Sequence, residues 1–332
     1  MAQKSGFFKK LIIIILVFIG IGAVLKAGSG MFGEQEKKLT AKNTILQLEM
    51  NGVILNGKRF LKNLKKYSED NKVKAIVINI NSPGGSVGPS QEIYHHIKKV
   101  REELKKPIVC VTTGVMASGA YYSAVACDKI VVAPGALVGS IGVIMEFANL
   151  EKLYDWAKVS RYSITSGKFK DSGAEYRGMR ADEKELFQNM INEVYAQFKG
   201  TVAKERKLKD EVVSEYADGR VFTGAFAVKT GFADQEGFLD DAIKLAAEMA
   251  KLDKKDYDVF EVPKKKMSIF DFGDKDSEDD LNSLAEYADL LKGKAAVAAG
   301  ITPGVNVEGA VKYLLRAKYL NQPLYMMPGY WE

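Results

Sequence analysis

Apolar and polar positions divide this chain before any single residue stands out. Residues 11–25 form an uninterrupted apolar run, with Lys4, Lys9 and Lys10 before it and Lys26 after it. A bilayer core takes about 20 residues, and Phe7, Phe8 and lysines that snorkel at either end extend this run toward that length. The run also has the size of the apolar part of a cleaved leader, but Leu25-Lys26-Ala27-Gly28-Ser29-Gly30 is a poor small-residue cleavage site. Residues 1–27 are therefore read as a signal anchor, an N-terminal transmembrane helix with its basic end in the cytoplasm and the remainder exported. Residues 28–43, polar and glycine-containing, read as a tether.

Beyond the tether, apolar runs of strand length at 44–48, 73–80, 108–112 and 129–133 alternate with helical spacing at 57–68 and 89–104. Strand, helix, strand implies parallel pairing, hence an α/β domain. Residues 150–158 look helical, 160–165 extended, and 225–230 and 239–250 helical again. Between them, 182–207 is one long amphipathic helix. Its Leu186, Phe187, Met190, Ile191, Val194, Tyr195, Phe198 and Val202 predict a stripe that faces the core. Organisation weakens past residue 253, where Lys264-Lys265-Lys266 and the acidic 271–280 read as a solvated linker. The C-terminal extension, 253–332, regains helical spacing at 283–291 and 307–319. It ends in the aromatic, proline-flanked Pro323-Leu324-Tyr325-Met326-Met327-Pro328-Gly329-Tyr330-Trp331. Two readings of that end stay open: an ordinary clasp on the core, or a peptide lying in the cleft of its own chain or a neighbour.

Composition narrows the function. At 332 residues and 47% hydrophobic, the chain can bury a full-sized core. Its net charge of +6 is spread through the sequence, with no Lys/Arg tract interleaved with aromatics, so nucleic acid is not an expected partner. Cys110 and Cys127 lack a CxxC partner and read as separate buried thiols. His95 and His96 are the only histidines, which argues against a His-rich metal site; no metal or other cofactor is expected.

Four polar turns remain as candidates for chemistry. Ser118 follows a strand pattern and opens a small-residue helix, where bare backbone N–H groups and the positive end of the dipole favour developing negative charge. Alone, it reads first as a helix cap. Asn81-Ser82-Pro83-Gly84-Gly85 leaves further N–H groups bare, although an isolated Pro-Gly-Gly is an ordinary tight turn, and no phosphate-loop pattern is present. Ser140 lies in a glycine-rich apolar stretch, and Lys168 and Lys170 in a turn at 166–172, where a surface lysine is the ordinary reading. A serine nucleophile needs a base. Both histidines lie on the helix before the strand of Ser118, so a Ser–His–Asp triad does not fit, whereas a lysine kept neutral by burial would serve.

Five blocks, in order, carry a resemblance: Asn81-Ser82-Pro83-Gly84-Gly85, Met116-Ala117-Ser118-Gly119-Ala120-Tyr121-Tyr122, Gly139-Ser140-Ile141-Gly142, Ser166-Gly167-Lys168-Phe169-Lys170-Asp171, and Asp218-Gly219-Arg220-Val221-Phe222-Thr223-Gly224. Over about residues 44–250 the chain resembles the signal peptide peptidase A family, membrane-anchored bacterial proteases with a Ser–Lys dyad on a ClpP- or crotonase-like fold of repeated ββα units. The resemblance implies a catalytic domain at 44–252. Ser118 would be the nucleophile, Lys170 the general base and Ser140 the hydroxyl that holds the lysine amine, with Gly85 and Gly119 as oxyanion-hole donors. It selects Lys170 over Lys168. Asp171 is expected to point away, because a carboxylate on the amine would weaken the base. Val87, Met116 and Tyr121 are candidates for a hydrophobic substrate pocket. Implied substrates are remnant signal peptides and other short membrane-associated peptides, cut without metal or nucleotide. The family also implies a homo-oligomer with active sites at subunit interfaces. Since no internal repeat is found, this chain is similar to the octameric branch. The implied location is the inner (cytoplasmic) membrane, single-pass, with the catalytic domain on the extracytoplasmic side. A crotonase-type acyl-CoA enzyme and an inactive membrane scaffold are the other classes; the scaffold predicts that Ser118→Ala and Lys170→Ala leave function intact.

Overall fold

The computed structural model describes residues 39, 41–253 and 256–263 and the backbone of residues 324–326. The expected anchor, most of the tether, and most of the extension after residue 253 lie outside the described residues. Among the described residues, no helix is long and apolar enough to cross a membrane.

Strands β1 (Thr44–Asn51) and β2 (Val73–Asn81) are predominantly apolar and bury nearly every position, as strands covered on both faces do. Helix α1 (Lys58–Ser68) connects them, and the pair is parallel, with Ile45 beside Ala75 and Asn51 beside Asn81. A repeating unit follows. β2 leads through the short β3 (Gly84–Ser86) into α2 (Val87–Glu103), and β4 (Ile108–Thr112) leads through the short β5 (Val115–Ala117) into α3 (Gly119–Ala124). A third long and short pair, β6 (Lys129–Val132) and β7 (Leu137–Gly139), opens instead into a surface segment with α4 (Glu151–Trp156), the long α5 (Ala181–Arg206) and α6 (Asp210–Tyr216). The order closes with β8 (Val221–Thr223), α7 (Gly224–Thr230), β9 (Gln235–Glu236), α8 (Leu239–Met249), β10 (Asp258–Glu261) and, close to the C-terminus, β11 (Leu324–Met326).

One parallel sheet runs in the order β10-β1-β2-β4-β6-β9, and the other strands form separate small sheets, β5-β7-β8 and β3-β11. The chain is thus an α/β fold in which β2, β4 and β6 each step onto a short strand, and the site is built from the short strands. Ala242, Ala246 and Ala247 of α8 close one face of the main sheet against Ile45, Ala75, Val77, Val109, Val111 and Val131. Alanines there let the helix approach the β-branched surface closely. The sheet runs past residue 252, since β10 adds a parallel edge to β1.

Helices α2 and α5 are clamped by Glu205. Its carboxylate accepts from Lys98 at 2.6 Å, from Tyr94 at 2.6 Å and from Arg101 at 3.1 Å. Burial alone would push the Glu205 carboxyl up, but these three donors hold it down at about 2, while burial and the carboxylate push the Tyr94 hydroxyl up to about 12. A carboxyl depressed in the folded state stabilises fully above its unfolded value near 4.5 and loses that contribution as pH falls toward 2. Replacing Glu205 with Gln should therefore lower stability near neutral pH by up to about 3 kcal/mol and flatten acid unfolding over that window, as urea titrations at pH 7 and pH 3 would show.

Three expectations change. Residues 160–165 form no strand; they lie exposed and have no strand partner among the described residues. The stripe of α5 is only partly covered: Phe198 and Val202 are buried and Phe187 stacks on Phe147, whereas Leu186 is 42% exposed and Met190 half-buried. Cys110 and Cys127 are not separate thiols. β4 and the turn after α3 bring them together as a disulfide with Cα atoms 6.0 Å apart.

Candidate active site

The sequence blocks meet through backbone pairing of the short strands. Ser82 donates to the Val115 carbonyl at 2.8 Å and accepts from Ala117 at 3.1 Å, which sets the Pro-Gly-Gly turn beside β5. β5 pairs with β7, Met116 beside Val138, and the Ser118 amide donates to the Gly139 carbonyl at 2.7 Å. β7 pairs with β8, and the Ser140 amide donates to the Arg220 carbonyl at 2.8 Å. Four of the five blocks therefore converge on Ser118.

Ser118 ends β5 and caps α3 with φ 52° and ψ −118°, a backbone state that serine adopts only where its surroundings impose it. Here the imposing contacts are the amide bond to Gly139 and the first turn of α3, in which Tyr122 donates to the Ser118 carbonyl at 2.8 Å. The side chain does not cap the helix: Ser118 is fully buried and, among the described residues, its Oγ has no hydrogen-bond partner. An unpaired buried hydroxyl costs about 1–3 kcal/mol, so the helix-cap reading fails on geometry. Ser140 repeats the positive φ, at 52°, directly after Gly139, whose own φ of 98° leaves room for the Phe222 ring where a Cβ would come within 2.6 Å of it.

Oxyanion donors follow from the same geometry. Gly119 is the first residue of α3, and the first N–H groups of a helix have no partner inside it. For Gly85 the neighbours decide. Ile54 donates to the Gly84 carbonyl at 2.8 Å, and Ser86 donates to the Ile54 carbonyl at 2.7 Å. Backbone groups alternate sides along a strand, so the N–H and C=O of Gly85 face the opposite edge of β3. A side chain at Gly85 is excluded, since a Cβ would lie 2.1 Å from the Ile54 carbonyl oxygen.

The fifth block stays apart. Lys170 sits on an exposed surface turn, and among the described residues its ammonium has no hydrogen-bonding or ionic partner. Lys168, by contrast, is paired with Asp182 at 2.7 Å. Asp171 points away from the lysines, as expected: Arg177 donates to it at 3.3 Å, and Arg180 lies 3.7 Å from it. Arg177 and Arg180 both also grip Glu183 on α5, which is fully buried. The Arg177 hydrogen bond, helped by the Arg180 amide, holds the Glu183 carboxyl down at about 2. This cage fixes the turn that displays Lys170. Sequence reasoning missed it, although the acid three residues after Arg180 at a helix start was a readable sign.

Of the candidate pocket residues, Val87 is half-buried at the start of α2, and Met116 is fully buried. Tyr121 is corrected to a core residue. It is fully buried, its hydroxyl donates to the Phe232 carbonyl at 2.7 Å, and its ring packs on Phe232. The spacing that put Tyr121 near Ser118 also turned it to the inner face of α3. The histidines lie on α2, His95 exposed and His96 half-buried, stacked edge to face on each other rather than on Ser118.

The chain matches the family model of peptidase family S49 over residues 101–253 and that of Clp protease over residues 40–136. A Synechocystis sp. chain provisionally named a protease is 40% identical over 231 residues, covering 68% of this chain and 82% of its own length. An Enterococcus faecium chain provisionally named signal peptide peptidase SppA is 31% identical over 246 residues, covering 70% of this chain and 71% of its own length. Among solved structures, ClpP1 of Listeria monocytogenes is 19% identical with a TM-score of 0.41, covering 59% of this chain and 94% of that one.

Proposed function

Since this chain belongs to peptidase family S49 and is thereby a serine peptidase, we propose that it cuts peptides with Ser118 as nucleophile and Lys170 as general base. The observation that carries this reading is Ser118 itself, a buried hydroxyl without a partner, held in a left-handed turn between a strand and a helix. Ser118 Oγ attacks the scissile carbonyl as Lys170 takes its proton, and the oxyanion is met by the N–H groups of Gly85 and Gly119. Lys170 returns the proton to the leaving amine, then activates the water that releases the acyl group. Ser140, one residue beyond the carbonyl that fixes Ser118, is placed to orient the amine.

The lysine comes from a second copy of the chain. Among the described residues of one chain Ser118 Oγ has no partner, and Lys170 stands on an exposed turn. The segment that bears the lysine also displays apolar side chains that a lone chain leaves in water: Trp156 is 81% exposed, Tyr162 81% and Ile164 94%. Large apolar side chains left in water mark a contact surface when they gather into a patch. Packing it against the Ser118 face of a neighbour buries the patch and withdraws the amine from water, the condition under which a lysine accepts a proton. The two faces differ, so the contact is head-to-tail and repeats into a ring; eight copies is the family's expectation. Anchoring by residues 11–25 would put the site at the outer face of the cytoplasmic membrane, where remnant signal peptides and other short apolar peptides are released. A disulfide suits that compartment.

Hydrolysis of a fluorogenic apolar peptide by the full chain in detergent tests the reading. Lys170→Ala should lose activity by about 10³-fold or more, and Lys168→Ala, which only breaks an exposed pair with Asp182, should keep it. The reverse result assigns the base to Lys168 and overturns the dyad.

A further inference from the structure

Two arginines that follow the lysine turn reach back to either side of Lys170. Arg180 donates to the Lys168 carbonyl at 2.7 Å, and Arg177 donates to the Asp171 carbonyl at 3.1 Å. Arg177 also takes the Asp171 carboxylate, with its Nε 3.3 Å and its Nη2 3.1 Å from Oδ2. Its remaining donors go to Glu183, whose fully buried carboxylate accepts from Nη1 at 2.9 Å and from Nη2 at 2.5 Å. A guanidinium carries five N–H donors in one rigid plane, so a single side chain can hold all of these oxygens in fixed directions. Arg177 is thus a bridge from the start of α5 to the residue next to Lys170. The Glu183 carboxyl, held down at about 2 by Arg177 first, stays ionised wherever a lysine titrates, so the bridge does not switch over that range.

Asp171 is the residue that the bridge restrains. It adjoins Lys170 in the chain, and a carboxylate within about 4–6 Å of an amine favours the ammonium, which cannot take the proton of Ser118. Other charged and titratable groups around the turn are committed elsewhere. Lys168 pairs with Asp182, Arg161 with Glu175, the Tyr176 hydroxyl with Ser163, and Arg180 with Asp182 and Glu183. The Ser118 face that a neighbouring copy would present carries Asp218 and Arg220 next to Ser140, and these two pair with each other at 2.7 Å. Asp171 is therefore the carboxylate that would reach the amine if its hold were lost. We infer that Arg177 is a positioning residue for the base: by holding the Asp171 carboxylate off the Lys170 amine, it lets the lysine give up its proton at a lower pH than that neighbour would otherwise permit. The inference rests on the dyad reading above.

The pH profile of kcat/KM on the fluorogenic peptide, measured for the full chain in detergent from about pH 6 to about pH 10, tests this. Wild-type activity should rise as the base loses its proton. In Arg177→Gln that rising limb should move up by about one pH unit, so activity drops about tenfold below the limb and regains the wild-type plateau above it. Adding Asp171→Asn to Arg177→Gln should bring the limb back. Asp171→Asn alone should leave it in place, because Arg177 already holds that carboxylate in the wild type. A bridge that served only to hold the fold would lower the rate evenly across pH. An even loss in Arg177→Gln, or a moved limb that Asp171→Asn does not restore, overturns the inference. A limb that moves down in Asp171→Asn alone also overturns it, since the carboxylate would then act on the amine in spite of Arg177. If Arg177→Gln does not fold, Arg177→Lys takes its place, keeping a charge for Glu183 without the fork to Asp171, and is read against the same Asp171→Asn partner. Lys170→Ala, run in parallel, separates the two readings. If it is inactive while the Arg177→Gln limb has not moved, only this inference falls; if it is active, the dyad falls and takes this inference with it.

Discussion

Ser118→Ala and Lys170→Ala chains, each inactive alone, are expected to regain peptide hydrolysis when assembled together. The reason is geometric. Ser118 is buried among four blocks that one chain brings together by its own strand pairing, whereas Lys170 is held on an exposed turn by the Arg177, Arg180 and Glu183 cage. If the dyad forms between copies, the Lys170→Ala chain contributes an intact serine and the Ser118→Ala chain an intact lysine. Each variant alone should fall by about 10³-fold or more, because a nucleophile and its base act as a unit. In a head-to-tail ring assembled at random from equal amounts, about one site in four pairs the right neighbours, so roughly a quarter of wild-type activity should return. The variants must be unfolded and reassembled, or expressed together, so that subunits mix, and size measurement must confirm the mixed assembly. Mixed rings with no recovered activity would place both residues of the dyad in one chain and end the shared-site reading.

The parts of this architecture that were legible in the sequence are those set by short-range pattern. The apolar run 108–112 became β4 unchanged, and the helix expected at 239–250 became α8, because a fully buried strand and an alanine-rich stripe each have one stable use in an α/β layer. Ser118, Gly85 and Ser140 could be picked out because strand-to-helix turns with glycine are few. Their assembly could not be read: it depends on Ser118 bonding to Gly139 and Ser140 to Arg220, contacts between segments up to 80 residues apart. The stripe of α5 misled for a different reason. Periodicity shows that a face is apolar and not what covers it, so Leu186 was assigned to this chain's core although it stands 42% exposed. Tyr121 failed similarly, since proximity in sequence to Ser118 says nothing about which side of a one-turn helix it takes. The cysteines read as separate because their partnership crosses β4 and α3, and spacing alone does not reveal it.

Gly85→Ala should abolish peptide hydrolysis while the chain stays folded, with kcat/KM lower by about 10³-fold or more. A methyl group there would sit 2.1 Å from the Ile54 carbonyl oxygen and 2.6 Å from the Ile54 nitrogen and carbonyl carbon. Those are backbone atoms that two hydrogen bonds, from Ile54 to Gly84 and from Ser86 to Ile54, tie to the same strand. No rotamer change relieves the clash; β3 itself has to move off its bracket. The Gly85 amide then leaves the position from which it faces the bound carbonyl, and the peptide loses its pairing edge in the same displacement. Both kcat and KM should therefore worsen, which separates this variant from Ser118→Ala, where peptide binding is retained and only the chemical step is lost. Gly88, three residues on, is the control. A Cβ there meets nothing within 4 Å, and the position is helical, so Gly88→Ala should keep wild-type kcat/KM and stabilise by up to about 1 kcal/mol. A folded Gly85→Ala chain with wild-type kcat/KM would mean that β3 is neither the oxyanion donor nor the edge on which the peptide lies.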